Sequence, residues 1–366
     1  MRSVPHDAEA VYVGLDVHKD SITAGVLQPG RQTPELERFF HDEVSVRRFL
    51  DRLGDRRRLR VCYEAGPTGF ELARLLEALR VDYLVAAPSL IPRAPGDRVK
   101  TDRRDARRLT RLFQGGQLTA IHVPTRQEEA VRDLCRTRTD MVIDLNRARH
   151  RLSKFLLRHD HPYRGGTEWT DRHSRWLTGI RFQDPALRAT FGHYRGVVTT
   201  RTAELRAVET DLVPWCDREP FADAVHRLGA YRGITHLGAL SIAAEVTDWR
   251  RFPKAGTFMG FCGLVPSEYS SGTHTTRGHI TRTGNTNLRT HFLESAWSYR
   301  HQPAIGLTLA RRHQGVEPHT LARAWQTQLR LCARFQRLAH RKNAAKLVAV
   351  AVARELAGFC WAEMTA

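Results

Sequence analysis

Two stretches in the middle of the chain carry apolar residues at heptad spacing. Leu134, Met141, Leu145, Ala148, Leu152 and Phe155 follow one another at intervals of 7, 4, 3, 4 and 3 residues, the a/d stripe of a helix that packs along another helix. Leu187, Phe191, Tyr194 and Val198 begin a second stripe, which skips Arg201 and resumes at Leu205, Val208 and Leu212. Joined through Gly165-Gly166 and the region from Trp169 to Arg181, the two helices make an antiparallel arm. It serves either as a spacer or as a dimer contact. The arm divides the 366 residues into an α/β domain over 9–125, the arm itself over 126–215, and a mostly helical domain over 216–366.

The first part reads by strand periodicity. Val11 to His18 alternates as a strand, and Ser21 to Gln28 is its hairpin partner. Arg60 to Glu64 is another short β-type run, ended by Ala65-Gly66-Pro67. Gly69 to Leu79 then reads as a helix with Phe70, Leu72, Ala73, Leu75, Leu76 and Leu79 on its apolar side, and Asp82 to Ala87 returns as a strand. A hairpin followed by a strand, helix, strand unit implies a mixed sheet in an α/β domain.

Charge narrows the partners. Lys and Arg number 58 against 39 Asp and Glu, a net charge of +19, which suits a polyanion and disfavours a housekeeping metabolic enzyme. No apolar run approaches the roughly 20 residues of a membrane span, and Met1 to Glu9 has no signal-peptide core. A cytoplasmic location follows as the expectation. The six cysteines show no Cys-x-x-Cys pair and no zinc-type spacing, so reduced, buried thiols are expected. Phosphate-binding glycine loops of the Walker and dinucleotide types do not occur, so no nucleotide cofactor is expected.

Four carboxylates stand at informative places. Asp16 ends the first strand and Glu64 ends the next long β-type run, while Asp102 and Asp105 lie in Lys100-Thr-Asp-Arg-Arg-Asp-Ala-Arg-Arg-Leu. That segment reads as a helix with Thr101 or Asp102 near its N-cap. A spacing of three puts Asp102 and Asp105 on one helix face. Their arginine neighbours also suit an ordinary ion-pair face. In a ribonuclease-H-like (RuvC-like) fold, however, these four positions meet and bind two divalent cations, Mg²⁺ or Mn²⁺, which serve in-line phosphoryl transfer. Two carboxylates about 4 Å apart repel by about 4 kcal/mol at an effective dielectric of 20, so cations belong among them.

The third part holds different chemistry. Leu228 to Leu240 places glycines around a short turn, resembling a helix-hairpin-helix whose backbone approaches a phosphate. The segment from Pro266 to Gly284 reads as a polar, glycine-punctuated loop, with helices from Asn285 onward and a last helix over Asn343 to Phe359. Ser270 and Ser271 lie among Arg277, His279, Arg282 and Arg289. A serine in such a shell could attack a phosphodiester, or the segment could contact phosphates without covalent chemistry.

Together the blocks Gly14-Leu-Asp-Val-His-Lys19, Glu64-Ala-Gly-Pro-Thr-Gly, Lys100-Thr-Asp-Arg-Arg-Asp-Ala and Gly263-Leu-Val-Pro-Ser-Glu-Tyr-Ser-Ser-Gly, with Thr283-Gly-Asn and Leu288-Arg, carry a resemblance. In this order, over most of the chain, they resemble the DEDD transposases of the insertion-sequence family whose members are guided by a bridge RNA. The resemblance implies a RuvC-like metal site at Asp16, Glu64, Asp102 and Asp105 and a C-terminal transposase domain with a serine nucleophile in the Ser-Ser-Gly segment. Ser271 is the choice within it, with Ser270 the alternative. Lys100, Arg277, Arg282 and Arg289 are the expected nucleic-acid contacts. Also implied are donor and target DNA, a bridge RNA, a homodimer or homotetramer, and a covalent 5′-phosphoserine linkage. One departure is Arg282, in a neighbourhood where relatives commonly carry Lys. Rival expectations are a RuvC-like nuclease or junction resolvase with an inert serine, an actin-like ATPase or kinase, and a non-catalytic nucleic-acid-binding protein.

Overall fold

The computed structural model describes residues 9–92, 101–271, 274–341 and 344–366, and their side chains except at 271, 274, 275 and 277. Lys100 lies outside the described residues, and Ser271 and Arg277 have their backbones alone described. The chain forms two compact units, Met1–Thr125 and Arg126–Ala366.

The first unit contains β1 (Val11–Val17), β2 (Ser21–Leu27), β3 (Glu35–Phe40), α1 (Glu43–Arg52), β4 (Leu59–Glu64), α2 (Glu71–Ala78), β5 (Asp82–Ala86) and α3 (Asp102–Gln114). Its sheet has the order β3-β2-β1-β4-β5. β2 runs antiparallel to β1 and β3, whereas β4 runs parallel to β1 and β5. The hairpin and the strand, helix, strand unit expected from periodicity are both present. β3 and α1, which the period-two reading did not distinguish, extend the sheet and cover it.

Alternation along β1 sends residues to two cores. Val11, Val13 and Leu15 join Phe49, Leu50, Leu72 and Leu76 of α1 and α2 on one face. On the other, Tyr12 and Cys62 meet Leu109 and Phe113 of α3. Here the helix lies directly on the backbone, because Gly14 and Gly25 are paired across β1 and β2. A Cβ on Gly14 would stand 2.5 Å from the Thr110 backbone nitrogen, and one on Gly25 2.9 Å from the Ala106 carbonyl oxygen. Gly14 N–H donates to Thr110 Oγ1 at 3.1 Å, and that hydroxyl lies 2.9 Å from the Gly25 carbonyl oxygen. Gly14→Ala should therefore lift α3 off the sheet. The expected result is a lower melting temperature; unchanged stability would show that the close approach is dispensable.

The second unit begins with α4 (Arg126–Arg158), α5 (Asp171–Gly179) and α6 (Pro185–Leu212). α4 and α6 are antiparallel, as Arg138 pairs with Glu209 and Phe155 packs on Tyr194. The distal end has its own core of Leu152, Phe155, Leu156, Leu177, Ile180, Phe182 and Phe191. At the proximal end, Val131, Cys135, Val208 and Leu212 belong to the large core of the later helices. The position 215/216, where the sequence suggests a boundary, thus falls inside this unit.

There follow α7 (Ala222–Gly229), α8 (His236–Val246), α9 (Ala255–Phe261), β6 (Pro266–Ser271), β7 (His274–Ile280), α10 (Thr286–Ala296), α11 (Leu307–Arg312), α12 (Pro318–Arg341) and α13 (Ala345–Thr365). Two expectations need correction. The segment read as a polar loop from 266 is an antiparallel hairpin, β6 with β7, pairing Tyr269 with Thr276 and Ser270 with Thr275. Its Thr and Tyr residues suit strands, but its sequence holds few apolar residues, Ile280 among them packing on the large core, so no hydrophobic alternation marks it. The expected helix, glycine turn and helix are present as α7 and α8, and only the role of one glycine differs from the phosphate-approach expectation. A Cβ on Gly233 would meet the Ser295 carbonyl oxygen at 2.4 Å, so this turn packs against α10. All six cysteines are free and buried. Among the described residues, no helix is long and apolar enough to cross a membrane.

Candidate functional site

α3 runs antiparallel to β1, and its register against the strand decides where its first turn lies. Phe113 stacks edge-on to Tyr12 with ring centroids 5.6 Å apart, and Thr110 bonds Gly14. At about 1.5 Å rise per helical residue and about 3.3 Å per strand residue, the same spacing carries Asp105 and Asp102 toward Asp16 at the far end of β1. Thr101 caps the helix by accepting from Arg104 N–H, with both aspartates in the first turn. Carboxylates there are favoured by the helix dipole.

His18 completes the grouping. Its Nε2 lies 3.3 Å from Asp16 Oδ2 and 3.4 Å from Asp102 Oδ1. One potential ligand atom from each of Asp16, His18 and Asp102 lies within 4.8 Å of the other two. The turn bearing His18 is held at several points. His18 N–H donates to Ser21 O at 2.9 Å, and His41 Nδ1 lies 2.7 Å from His18 O.

Burial raises the Asp16 carboxyl above the ordinary carboxylate range; His18 opposes this, and the charges of Asp102 and Asp105 add to it. Asp105 is mostly buried and sits 3.2 Å from Arg108 Nη2. Glu64 ends β4. Parallel pairing of Leu15 with Tyr63 brings Asp16 and Glu64 level on neighbouring strands, about 4.8 Å apart at the backbone and on the face that α3 covers. The three-residue ligand grouping does not include Glu64 or Asp105. The donor set of carboxylate oxygens and an imidazole fits a divalent cation. Concentrated negative charge at the partly exposed end of a sheet is the matching electrostatic feature. His18 was not singled out by sequence reasoning, although Asp16-Val-His is a two-residue spacing that brings both side chains to one side of a strand.

The serine hairpin stands on a polar base within the second unit. Ser270 is exposed, Ser271 pairs with His274 at the last described register position of β6, and His279 and Arg282 are exposed. Arg289 is half-buried, and its guanidinium donates to the carbonyls of Cys262 and Arg282 and to Thr286 Oγ1. It therefore braces the base of the hairpin.

Below it lies Glu245, whose side chain is 2% exposed. Arg136 donates to both of its oxygens, at 2.7 and 2.9 Å. Asn285 Nδ2 and Asn287 Nδ2 donate to the same carboxylate at 2.6 and 2.9 Å. Burial pushes the Glu245 carboxyl up, but Arg136 and the two asparagines outweigh it and leave its pKa lowered. Asn285 also caps α10, accepting from Leu288 N–H. Glu245 escaped the sequence reading as one acid in an apolar helix; that isolation was itself the signal that a partner must exist.

Comparison with known proteins gives matches in both units. Residues 13–160 match the IS110-type DEDD model described as "Transposase", and residues 225–307 match "Transposase IS116/IS110/IS902 family". The chain is 40% identical over 360 residues to "Putative transposase y4qE" of Sinorhizobium fredii, covering 97% of this chain and 89% of that protein. It is 31% identical over 333 residues to "Transposase for insertion sequence element IS1533" of Leptospira borgpetersenii, covering 90% of this chain and 96% of that protein. On these matches, which span nearly its whole length, the chain belongs to the IS116/IS110/IS902 family of transposases.

Proposed function

We propose that this transposase cuts and rejoins DNA with a two-cation carboxylate site in a ribonuclease-H-like, RuvC-like unit and a serine nucleophile on the β6–β7 hairpin. The observation that carries the proposal is the convergence of Asp16 and Asp102 on His18 Nε2, at 3.3 and 3.4 Å, although β1 and α3 are far apart in sequence. The order β3-β2-β1-β4-β5, antiparallel on one side of β1 and parallel on the other, supports the fold assignment.

Asp16, Glu64, Asp102 and Asp105 are the residues that hold the cations, Mg²⁺ or Mn²⁺. When bound, such ions neutralise charge on a phosphodiester and stabilise attacking and leaving oxygens. The protein's own residues supply the rest. Arg282, exposed just after β7, contacts phosphate together with Lys100, Arg277 and Arg289, and Arg289 also fixes the base of the hairpin. Ser271 Oγ forms a bond to phosphorus as the bond from phosphorus to the 3′ oxygen breaks. The result is a 5′-phosphoserine linkage; the serine proton is given up and the departing 3′ oxygen gains one. Energy is thereby conserved for resealing, since one ester replaces another. Donor and target DNA, a bridge RNA and a homodimer or homotetramer are the partners in this reading, in the bacterial cytoplasm.

The test is incubation with labelled donor DNA, Mg²⁺ and RNA transcribed from the flanking element, followed by a denaturing gel and peptide mapping. A DNA adduct on Ser271, absent in Ser271→Ala, is the expected result. An adduct on Ser270 would move the nucleophile by one residue. Strand nicking that continues without any adduct would make the protein a metal-dependent nuclease instead.

A further inference from the structure

We infer that His18 is a metal ligand, its Nε2 joining the carboxylates of Asp16 and Asp102 on one cation and favouring Mn²⁺ over Mg²⁺. The inference rests on the carboxylate-site reading above and adds to it a nitrogen donor and a consequence for metal choice.

Geometry is the first ground. His18 Nε2 lies almost equally far from Asp16 Oδ2 and Asp102 Oδ1, at 3.3 and 3.4 Å. Without an ion, His18 pairs with Asp16 by a hydrogen bond at this separation. By contrast, donor atoms each about 2.1–2.2 Å from one ion stand roughly 3 Å apart when adjacent and a little over 4 Å apart when opposite. The grouping within 4.8 Å fits that scale.

The second ground is preorganisation. Asp16 and His18 are two residues apart at the end of β1, and the following turn is fixed by His18 N–H to Ser21 O and by His41 N–H to Asp20 O at 3.1 Å. Arg38 on β3 further holds Ser21, with Nη2 3.0 Å from its hydroxyl oxygen. The imidazole is thus carried on a braced turn, while its side chain is 51% exposed and accessible to an ion from solvent.

Chemistry supplies the metal preference. Neutral imidazole offers the Nε2 lone pair with its ring proton on Nδ1. Nitrogen donors strengthen binding of Mn²⁺ relative to Mg²⁺, which prefers oxygen.

Pulsed electron paramagnetic resonance on the full chain with Mn²⁺ tests this directly, because a coordinated imidazole gives a ¹⁴N coupling. Wild type should show the coupling, and His18→Ala should lose it and bind Mn²⁺ about tenfold more weakly. Mg²⁺ should displace Mn²⁺ more readily from the variant than from wild type. Mn²⁺ bound equally by wild type and His18→Ala, without coupling or with coupling unchanged between them, would overturn the inference. Asp16→Asn separates that outcome from failure of the underlying site. If His18 alone is wrong, Asp16→Asn still abolishes binding; if Asp16→Asn binds Mn²⁺ like wild type, or wild type binds none, the carboxylate reading fails and the inference with it.

Discussion

Asp16→Asn should reduce DNA strand cleavage by at least about a thousandfold, equivalent to about 4 kcal/mol of lost transition-state stabilisation, while the protein remains folded. The loss follows from the place of Asp16 at the centre of the carboxylate group, where it lies 3.3 Å from His18 and shares the field of Asp102 and Asp105. The retained fold follows from the sign of its ionisation. A carboxyl whose pKa is raised in the folded state contributes stability that is present below the unfolded pKa and lost as pH rises through the folded pKa. Ionised Asp16 therefore weakens the metal-free fold at neutral pH, and a neutral amide of the same shape relieves the cost of burying the charge and, after it, the repulsion from Asp102 and Asp105. Without added metal, the variant should melt at the wild-type temperature or above it. A gel assay and a thermal scan check both halves. Near-normal cleavage would contradict the assignment, and a large drop in melting temperature would make Asp16 a structural residue.

Glu245→Ala should have the opposite profile, a loss of roughly 3–5 kcal/mol in the stability of the second unit. Removing the carboxylate deprives Arg136, Asn285 and Asn287 of their shared acceptor. Arg136 can recover some hydration because its side chain is 45% exposed, so Arg136→Ala should leave the larger penalty with Glu245, at 2% exposure. Urea unfolding of the two variants measures the difference. Equal, small changes would show that this network contributes little. Since Asn285 starts α10 directly after the serine hairpin, Glu245→Ala should also impair strand exchange at temperatures where the protein is still folded.

These two carboxylates mark how far sequence reasoning reaches. Asp16 stands at the end of an alternating apolar strand, so its place could be read from local pattern. Glu245 meets Arg136 across 109 residues, and no local period contains that information. The same distinction runs through the fold. β1, β2, β4 and β5 are buried on both faces and so read as apolar β-type runs, as the heptad stripes reveal α4 and α6. β3 is an edge strand without a fully buried residue, ending at Phe40 with 74% exposure, so its pattern is weak. The β6–β7 hairpin has few apolar residues in its sequence, and backbone pairing defines it without a hydrophobic signature. His18 was visible as a residue in a quoted motif, but its approach to Asp102 depends on the antiparallel seating of α3 against Gly14 and Gly25. Close backbone packing, rather than any charge pattern, sets that register.

Anomalous diffraction from crystals grown with Mn²⁺ tests the convergence of β1 and α3 around a cation most directly. The expected result is a peak bonded to side-chain atoms of both Asp16 and Asp102. Ordered carboxylates with no peak between them, at Mn²⁺ concentrations that support DNA cleavage, would contradict it.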